Sequence, residues 1–305
     1  MKKNVKAFVY TAVSFFIFVL LLCLVKSISA AASQNAKADF ESVVIIPEQH
    51  ASLSESEKGS GIEEKNKKII NEVNVTWEKG DVEIYQSTLN GDIECYLGSS
   101  SVNCAEAYVS QNSKGVKIKD VRTSEKIKIV IPKNIYINTL NIYGKEGDVY
   151  VHGIRVNCLN AETSGGDVRL SGVTTDESVI VTTQSGSVTE KGCNSVFFSV
   201  RSNKGDISSE GYSREYYLNT KTGNINFTPV LAGERSDLIS ENGDIYARFA
   251  EKESFCAYVD CSDDNLTVDR RLMYSISNSC YIYNDGGNTI INVHCEKGSV
   301  ELSIR

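Results

Sequence analysis

The sequence lacks catalytic side chains in any recognised arrangement. It has 3 histidines, His50, His152 and His294, and none lies in a nucleophile or metal motif. It contains no Gly-x-Ser-x-Gly, no P-loop and no Rossmann glycine fingerprint. None of its 9 cysteines forms a Cys-x-x-Cys pair, so the usual zinc spacing is missing. Basic residues are the minority: the formal net charge is −7, whereas a nucleic-acid binder carries a basic stripe. Proline is scarce at 3 residues, while Val, Ile, Thr and Tyr abound, a composition of β-structure rather than of a disordered chain. No cofactor, metal or nucleic-acid partner is implied.

What is present is a repeat. A glycine, a short polar residue and a β-branched residue recur every 18 to 20 residues: Gly147-Asp148-Val149, Gly166-Asp167-Val168, Gly186-Ser187-Val188, Gly205-Asp206-Ile207, Gly223-Asn224-Ile225 and Gly243-Asp244-Ile245. A seventh copy, Gly298-Ser299-Val300, stands near the C-terminus. Apolar residues alternate before each glycine, as in Leu140/Ile142 and Val179/Val181, and resume two residues after it. Such alternation on both sides of a turn predicts two short strands per repeat with one buried face. A second glycine follows six residues later in Gly153, Gly172, Gly192 and Gly211, predicting the other corner. Thr163, Thr183, Ser202, Thr220 and Ser240 precede the markers by three positions and point inward by parity, as a row that pairs with neighbouring coils or turn backbone. Repetition at this period predicts stacked coils. Spacing alone leaves an antiparallel meander open as the alternative.

The chain divides readily. Residues 1–6 form a lysine-bearing cytoplasmic tip, 7–25 an uncharged run long enough to cross a bilayer as a helix, and 26–68 a polar tether. Lys2, Lys3 and Lys6 before the run, against Lys26 after it, predict a cytoplasmic N-terminus. Cleavage near Ala30-Ala31-Ala32 is the alternative to an uncleaved anchor. Residues 69–305 form the ectodomain: divergent first coils over 69–138, regular coils over 139–249, and an irregular coil or loop with a C-terminal cap over 250–305. Gly80-Asp81-Val82 echoes the marker, and Gly91-Asp92-Ile93, only eleven residues later, predicts a hairpin.

The alternating strand Lys126–Pro132, then Leu140-Asn141-Ile142, then serial turns of the Ser185-Gly186-Ser187-Val188 type, resemble a bacterial family of β-strand repeats of unknown function that carries the label of adhesins. The resemblance runs from about Val73 to Ile304. It implies an all-β, single-stranded β-helix-like solenoid in an envelope protein, preceded here by one transmembrane helix. It brings no functional residue with it.

The residue after each marker glycine (Asp148, Asp167, Ser187, Asp206, Asn224, Asp244, Ser299) invites a reading as a metal ladder. Asp, Ser and Asn share no charge, only a short acceptor, so they are expected to close turns by accepting from backbone two residues on. Tyr143, Tyr150 and Tyr246 fall on outward positions and form the candidate binding face. Asp260, Asp263, Asp264 and Asp269, with Arg270 and Arg271, are the one group a carbohydrate-cleaving enzyme would use, against a solvated loop. Eight cysteines outside the apolar run permit disulfides, Cys256 with Cys261 and Cys95 with Cys104 being nearest in sequence. The expected protein is a non-enzymatic, membrane-anchored surface module that binds an envelope protein or glycan or serves as a structural spacer. A carbohydrate-active β-helix and an accessory to envelope-stress signalling are the alternatives.

Overall fold

A computed structural model describes residues 68–97, 100–102, 116–122, 126–285 and 287–305. The apolar run, most of the tether, His50 and Cys104 lie outside the described residues. Among those described, no helix is long and apolar enough to cross a membrane.

The described residues are mostly strand. In order they form β1 (Lys68–Lys79), β2 (Val82–Ser87), β3 (Glu94–Leu97), β4 (Ser100–Val102), β5 (Val116–Arg122), β6 (Ile127–Pro132), β7 (Ile135–Glu146) and β8 (Val149–His152). Then come β9 (Arg155–Gly165), β10 (Val168–Ser171), β11 (Thr174–Thr183), β12 (Val188–Ser202), β13 (Ile207–Thr222), β14 (Ile225–Phe227), β15 (Arg235–Asn242) and β16 (Ile245–Phe249). The last are β17 (Phe255–Asp260), β18 (Leu266–Val268), β19 (Met273–Ser275), β20 (Cys280–Tyr283), β21 (Thr289–Lys297) and β22 (Val300–Ile304).

Each coil is strand, glycine corner, strand, and successive coils pair in parallel. Leu140 aligns with Leu159, Leu159 with Val179, Val179 with Phe198 and Phe198 with Tyr216 on one side. Val149, Val168, Val188, Ile207, Ile225 and Ile245 align on the other. The parallel register is that of a solenoid and excludes the meander. Alternate residues bury: Val179, Val181, Phe198, Val200, Leu218, Ile207 and Ile225 are at most 1 % exposed. The core changes along its length, from aliphatic side chains to edge-to-face contacts joining Phe198, Tyr216, Phe227 and Phe249.

Chain order and spatial order part at both ends. Coil β1–β2 lies between β5–β6 and β7–β8, and coil β21–β22 lies between β15–β16 and β17–β18. The segment expected to be irregular after residue 250 therefore contains a coil, β17–β18, in parallel register with its neighbour. The detours also cover the stack's ends. β3 pairs antiparallel with β6 and with β4, and β20 pairs antiparallel with β17 and with β19. The hairpin expected at Gly91 is displaced: β2 and β3, which flank that glycine, do not pair with each other, and the hairpin that forms is β3–β4. Antiparallel covers occupy strand edges that would otherwise template pairing with other chains.

Candidate functional site

The marker residues build one corner of every coil. Gly147, Gly166, Gly186, Gly205, Gly223, Gly243 and Gly298 all have φ between 112° and 156°. A Cβ on any of them would collide with the carbonyl of the marker glycine one coil back, Gly186 for Gly205 and Gly205 for Gly223. Backbone stacks on backbone there, which only glycine permits.

The residues after the glycines do not act as expected. Their acceptors reach across coils: Asp148 Oδ1 accepts the Asp167 N–H at 2.9 Å, Asp167 the Ser187 N–H at 3.0 Å, and Ser187 Oγ the Asp206 N–H at 3.3 Å. The row continues from Asp206 to Asn224 at 2.7 Å, Asn224 to Asp244 at 2.8 Å and Asp244 to Ser299 at 2.7 Å. Asp81 starts it by accepting from Asp148. The bond expected to close each turn locally is made to the next coil instead, because stacking brings that N–H within reach of the short side chain. The hydroxyl row is buried beneath it. Thr220 donates to the Gly205 carbonyl at 3.0 Å and Ser240 to the Gly223 carbonyl at 3.1 Å. Cys295 takes the same place in the last coil of the row, donating to Gly243 at 3.4 Å.

Of the outward tyrosines, Tyr150 and Tyr246 are half-buried and hydrogen-bonded to this edge: Tyr150 donates to Asp148 and Tyr246 to Asp244, both at 3.0 Å. The Arg169 guanidinium and the Lys126 ammonium lie over the Tyr150 ring. Tyr143 is on the other sheet at 40 % exposure. The three do not form one patch.

A groove does form on the outward face of β15, β21 and β17. The register sets Asp237, Asn292 and Tyr258 in one row and Ile239, His294 and Asp260 in the next. Adjacent strands stand about 4.8 Å apart, so the two rows make a small lattice. Arg235 flanks them, and Ser279, before β20, supplies a further wall of a groove of about 500 Å³. The Arg235 Nε donates to both Asp237 oxygens at 3.1 and 3.0 Å, and Asn292 Nδ2 donates to Asp237 at 2.6 Å. His294 Nδ1 lies 2.8 Å from Asp260 Oδ2. Each carboxylate thus has its own cationic or imidazole partner. Tyr258 presents a 40 % exposed ring at the end of its row, beside Asn292 and Asp260. An aromatic face beside compensated polar groups recognises ligand through contact and hydrogen bonds.

The acidic group does not assemble. Asp260 belongs to this groove, whereas Asp269 is clasped by Arg271 at 2.8 Å, and Arg271 also holds Glu251 and the Ile304 carbonyl. The Arg271 guanidinium holds the Asp269 carboxyl well below the usual range. Sequence reasoning missed Tyr258, Arg235 and Asn292. Their signal was the outward-facing alternation of three strands, but the alignment of those strands depends on β21 inserting out of chain order.

No curated protein matches the chain. Solved structures similar to it include a candidate adhesin from Bacteroides fragilis, 18% identical over 79% of this chain and 94% of that one, with a TM-score of 0.43. A candidate cell adhesion protein from Clostridium sporogenes is 11% identical over 77% of this chain and 93% of that one, with a TM-score of 0.23. Residues 108–302 match the Toastrack DUF4097 family, and the chain belongs to that family.

Proposed function

We propose that this protein is a cell-surface binding module: a rigid β-solenoid, anchored by its N-terminal apolar run with the C-terminal part outside, that holds an envelope protein or glycan and performs no chemistry on it. The observation that carries the reading is Tyr258, exposed in a groove whose charged groups are paired with one another. Those pairs hold side chains in place for contact, and the groove sits on strands, which position a site more firmly than loops do. The anchor rests on the uncharged run Ala7–Val25 and the lysines before it.

The test is saturable binding of the full-length protein, in vesicles, to fragments of its own cell envelope. Tyr258→Ala is expected to weaken binding at least tenfold, with circular dichroism unchanged. Equal binding by wild type and variant would remove the groove from the function. Protease added to intact protoplasts is expected to remove the solenoid, and full protection would reverse the topology. A soluble form starting at Ser33 would show cleavage in place of anchoring. Envelope glycans incubated with the protein are expected to stay intact.

A further inference from the structure

We propose that Cys256 and Cys280 form a disulfide that pins the hairpin β19–β20 to β17 and thereby fixes the groove wall beside Tyr258. The bridge stands on the geometry of the hairpin and does not depend on what the groove binds.

Cys256 lies in β17, and its neighbours Phe255 and Ala257 are buried in the core, so Cys256 faces outward. The antiparallel register sets Cys256 opposite Ile282 and Ala257 opposite Tyr281. Cys280 is two residues from Ile282 and therefore on the same face as Cys256, diagonal to it. The two thiols are in hydrogen-bonding contact. Cys280 is fully buried and Cys256 half-buried. These residues are 24 apart in sequence, and only the returning hairpin brings them together.

The other thiols have different neighbours. Cys261 lies just past the end of β17, packs toward the core and stands within electrostatic reach of Cys295, whereas Cys256 faces outward, so the pair closest in sequence is not the one brought together. Cys295 donates to the Gly243 carbonyl, Cys158 to Glu177 at 3.1 Å, and Cys193 to the Lys191 carbonyl.

Diagonal partners start wider than the Cβ separation of about 3.5–4.5 Å that a disulfide needs. Closure must therefore draw the start of β20 toward β17. That end is able to move: β20 pairs with β17 through three residues, and the hairpin's other residues, Met273, Tyr274 and Ile276, are exposed. Ser279, which walls the groove, is the residue before Cys280 and moves with it. The oxidant is a small disulfide donor. The accessible Cys256, as thiolate, attacks one donor sulfur and releases one thiol. The Cys280 thiolate then displaces the second donor thiol from Cys256. Two protons leave the protein thiols, and two electrons reduce the donor to two thiols.

The full-length protein, incubated with oxidised glutathione and quenched by alkylation, is expected to yield a Cys256–Cys280 linked peptide under non-reducing conditions and to lose two alkylatable thiols. Amide exchange across Tyr274–Tyr283 is expected to slow at least tenfold against the reduced protein. Cys280→Ser is expected to leave glutathione on Cys256 as a stable mixed disulfide. Glutathione retained on wild-type Cys256 with Cys280 still alkylatable, or a link from Cys256 to another cysteine, would overturn the bridge. A correct link with unchanged exchange would overturn the pinning.

Discussion

The Asp148 carboxylate accepts the backbone N–H of Asp167 at 2.9 Å, joining two residues that hold the same place in successive coils. Every later member of the row repeats the relationship with a carboxylate, an amide or a hydroxyl oxygen. The common requirement is one acceptor on a short side chain, set where the next coil turns. Directly below, Ser202, Thr220 and Ser240 of the buried hydroxyl row donate to the carbonyls of Gly186, Gly205 and Gly223, while Thr163 bonds Gly165 instead and Thr183 bonds none, so the second polar ladder is partial.

Asp206 tests whether acceptor or charge matters. Its Oδ1 accepts from Asn224 at 2.7 Å. Asp206→Asn keeps that oxygen and is expected to leave the thermal midpoint nearly unchanged. Asp206→Ala removes it and is expected to cost about 1 kcal/mol, the net worth of one such hydrogen bond. Calcium is expected to leave the wild-type midpoint where it is. Equal losses for Asn and Ala, with a rise in calcium, would make the row a metal site.

The two glycine corners are expected to differ. Gly205 has φ 147°, and a Cβ there would strike the Gly186 carbonyl. Gly205→Ala combines strain with a backbone collision and should cost roughly 2–5 kcal/mol. Gly153 has φ 59° with nothing within 4 Å of an added Cβ. Gly153→Ala should cost only about 1–2 kcal/mol, the left-handed penalty alone. Denaturant melts of both variants give the comparison, and equal losses would contradict the stacking argument.

The period, the corner glycines and the inward rows were legible because each repeats a local requirement many times. Gly80-Asp81 and Gly298-Ser299 were legible as motifs too. Their positions in the stack were not, since Asp81 contacts Asp148 and Asp244 contacts Ser299 across spacings far from the common period. No local pattern encodes a coil that inserts between two others. The groove was lost for the same reason: Asp237, Asn292 and Tyr258 are neighbours only once β21 has entered between β15 and β17. Likewise, a short acceptor after glycine looks the same in sequence whether it closes its own turn or the next coil's.

Asp244 should shape the acid limb of stability. The Ser299 N–H and hydroxyl, bonded to its carboxylate, outweigh burial and hold its pKa below the ordinary value. A depressed folded pKa means stability that is present above the unfolded value and lost as pH falls through the folded one. Asp244→Asn keeps the acceptor for Ser299 but does not titrate. Its midpoint should fall less steeply than the wild type's below about pH 4, the ordinary range for an aspartate. A parallel fall in both proteins would assign the acid limb elsewhere.

Glu190 should act in the opposite direction. It is 1 % exposed, and its carboxylate accepts from the Cys193 N–H at 2.9 Å, the Gly211 N–H at 2.9 Å and the Ser209 hydroxyl at 2.6 Å. These partners are dipoles rather than cations, and burial outweighs them, so its pKa lies above the usual glutamate value. The folded state therefore holds the proton more tightly than the unfolded chain. The stability this provides is full below the unfolded pKa, about 4.3, and is lost as pH rises through the folded value. Glu190→Gln removes the titration and one of two acceptor oxygens, leaving an amide N–H₂ facing a backbone N–H, at a cost of about 1–3 kcal/mol. Wild type should thus exceed the variant most at low pH, with the gap narrowing as pH rises from the ordinary glutamate value through the raised folded one, where the buried carboxylate ionises in the wild type alone. Chemical denaturation of both proteins across that range measures the gap directly. A gap that widens with pH would mean that the three donors stabilise the charged form more than burial opposes it.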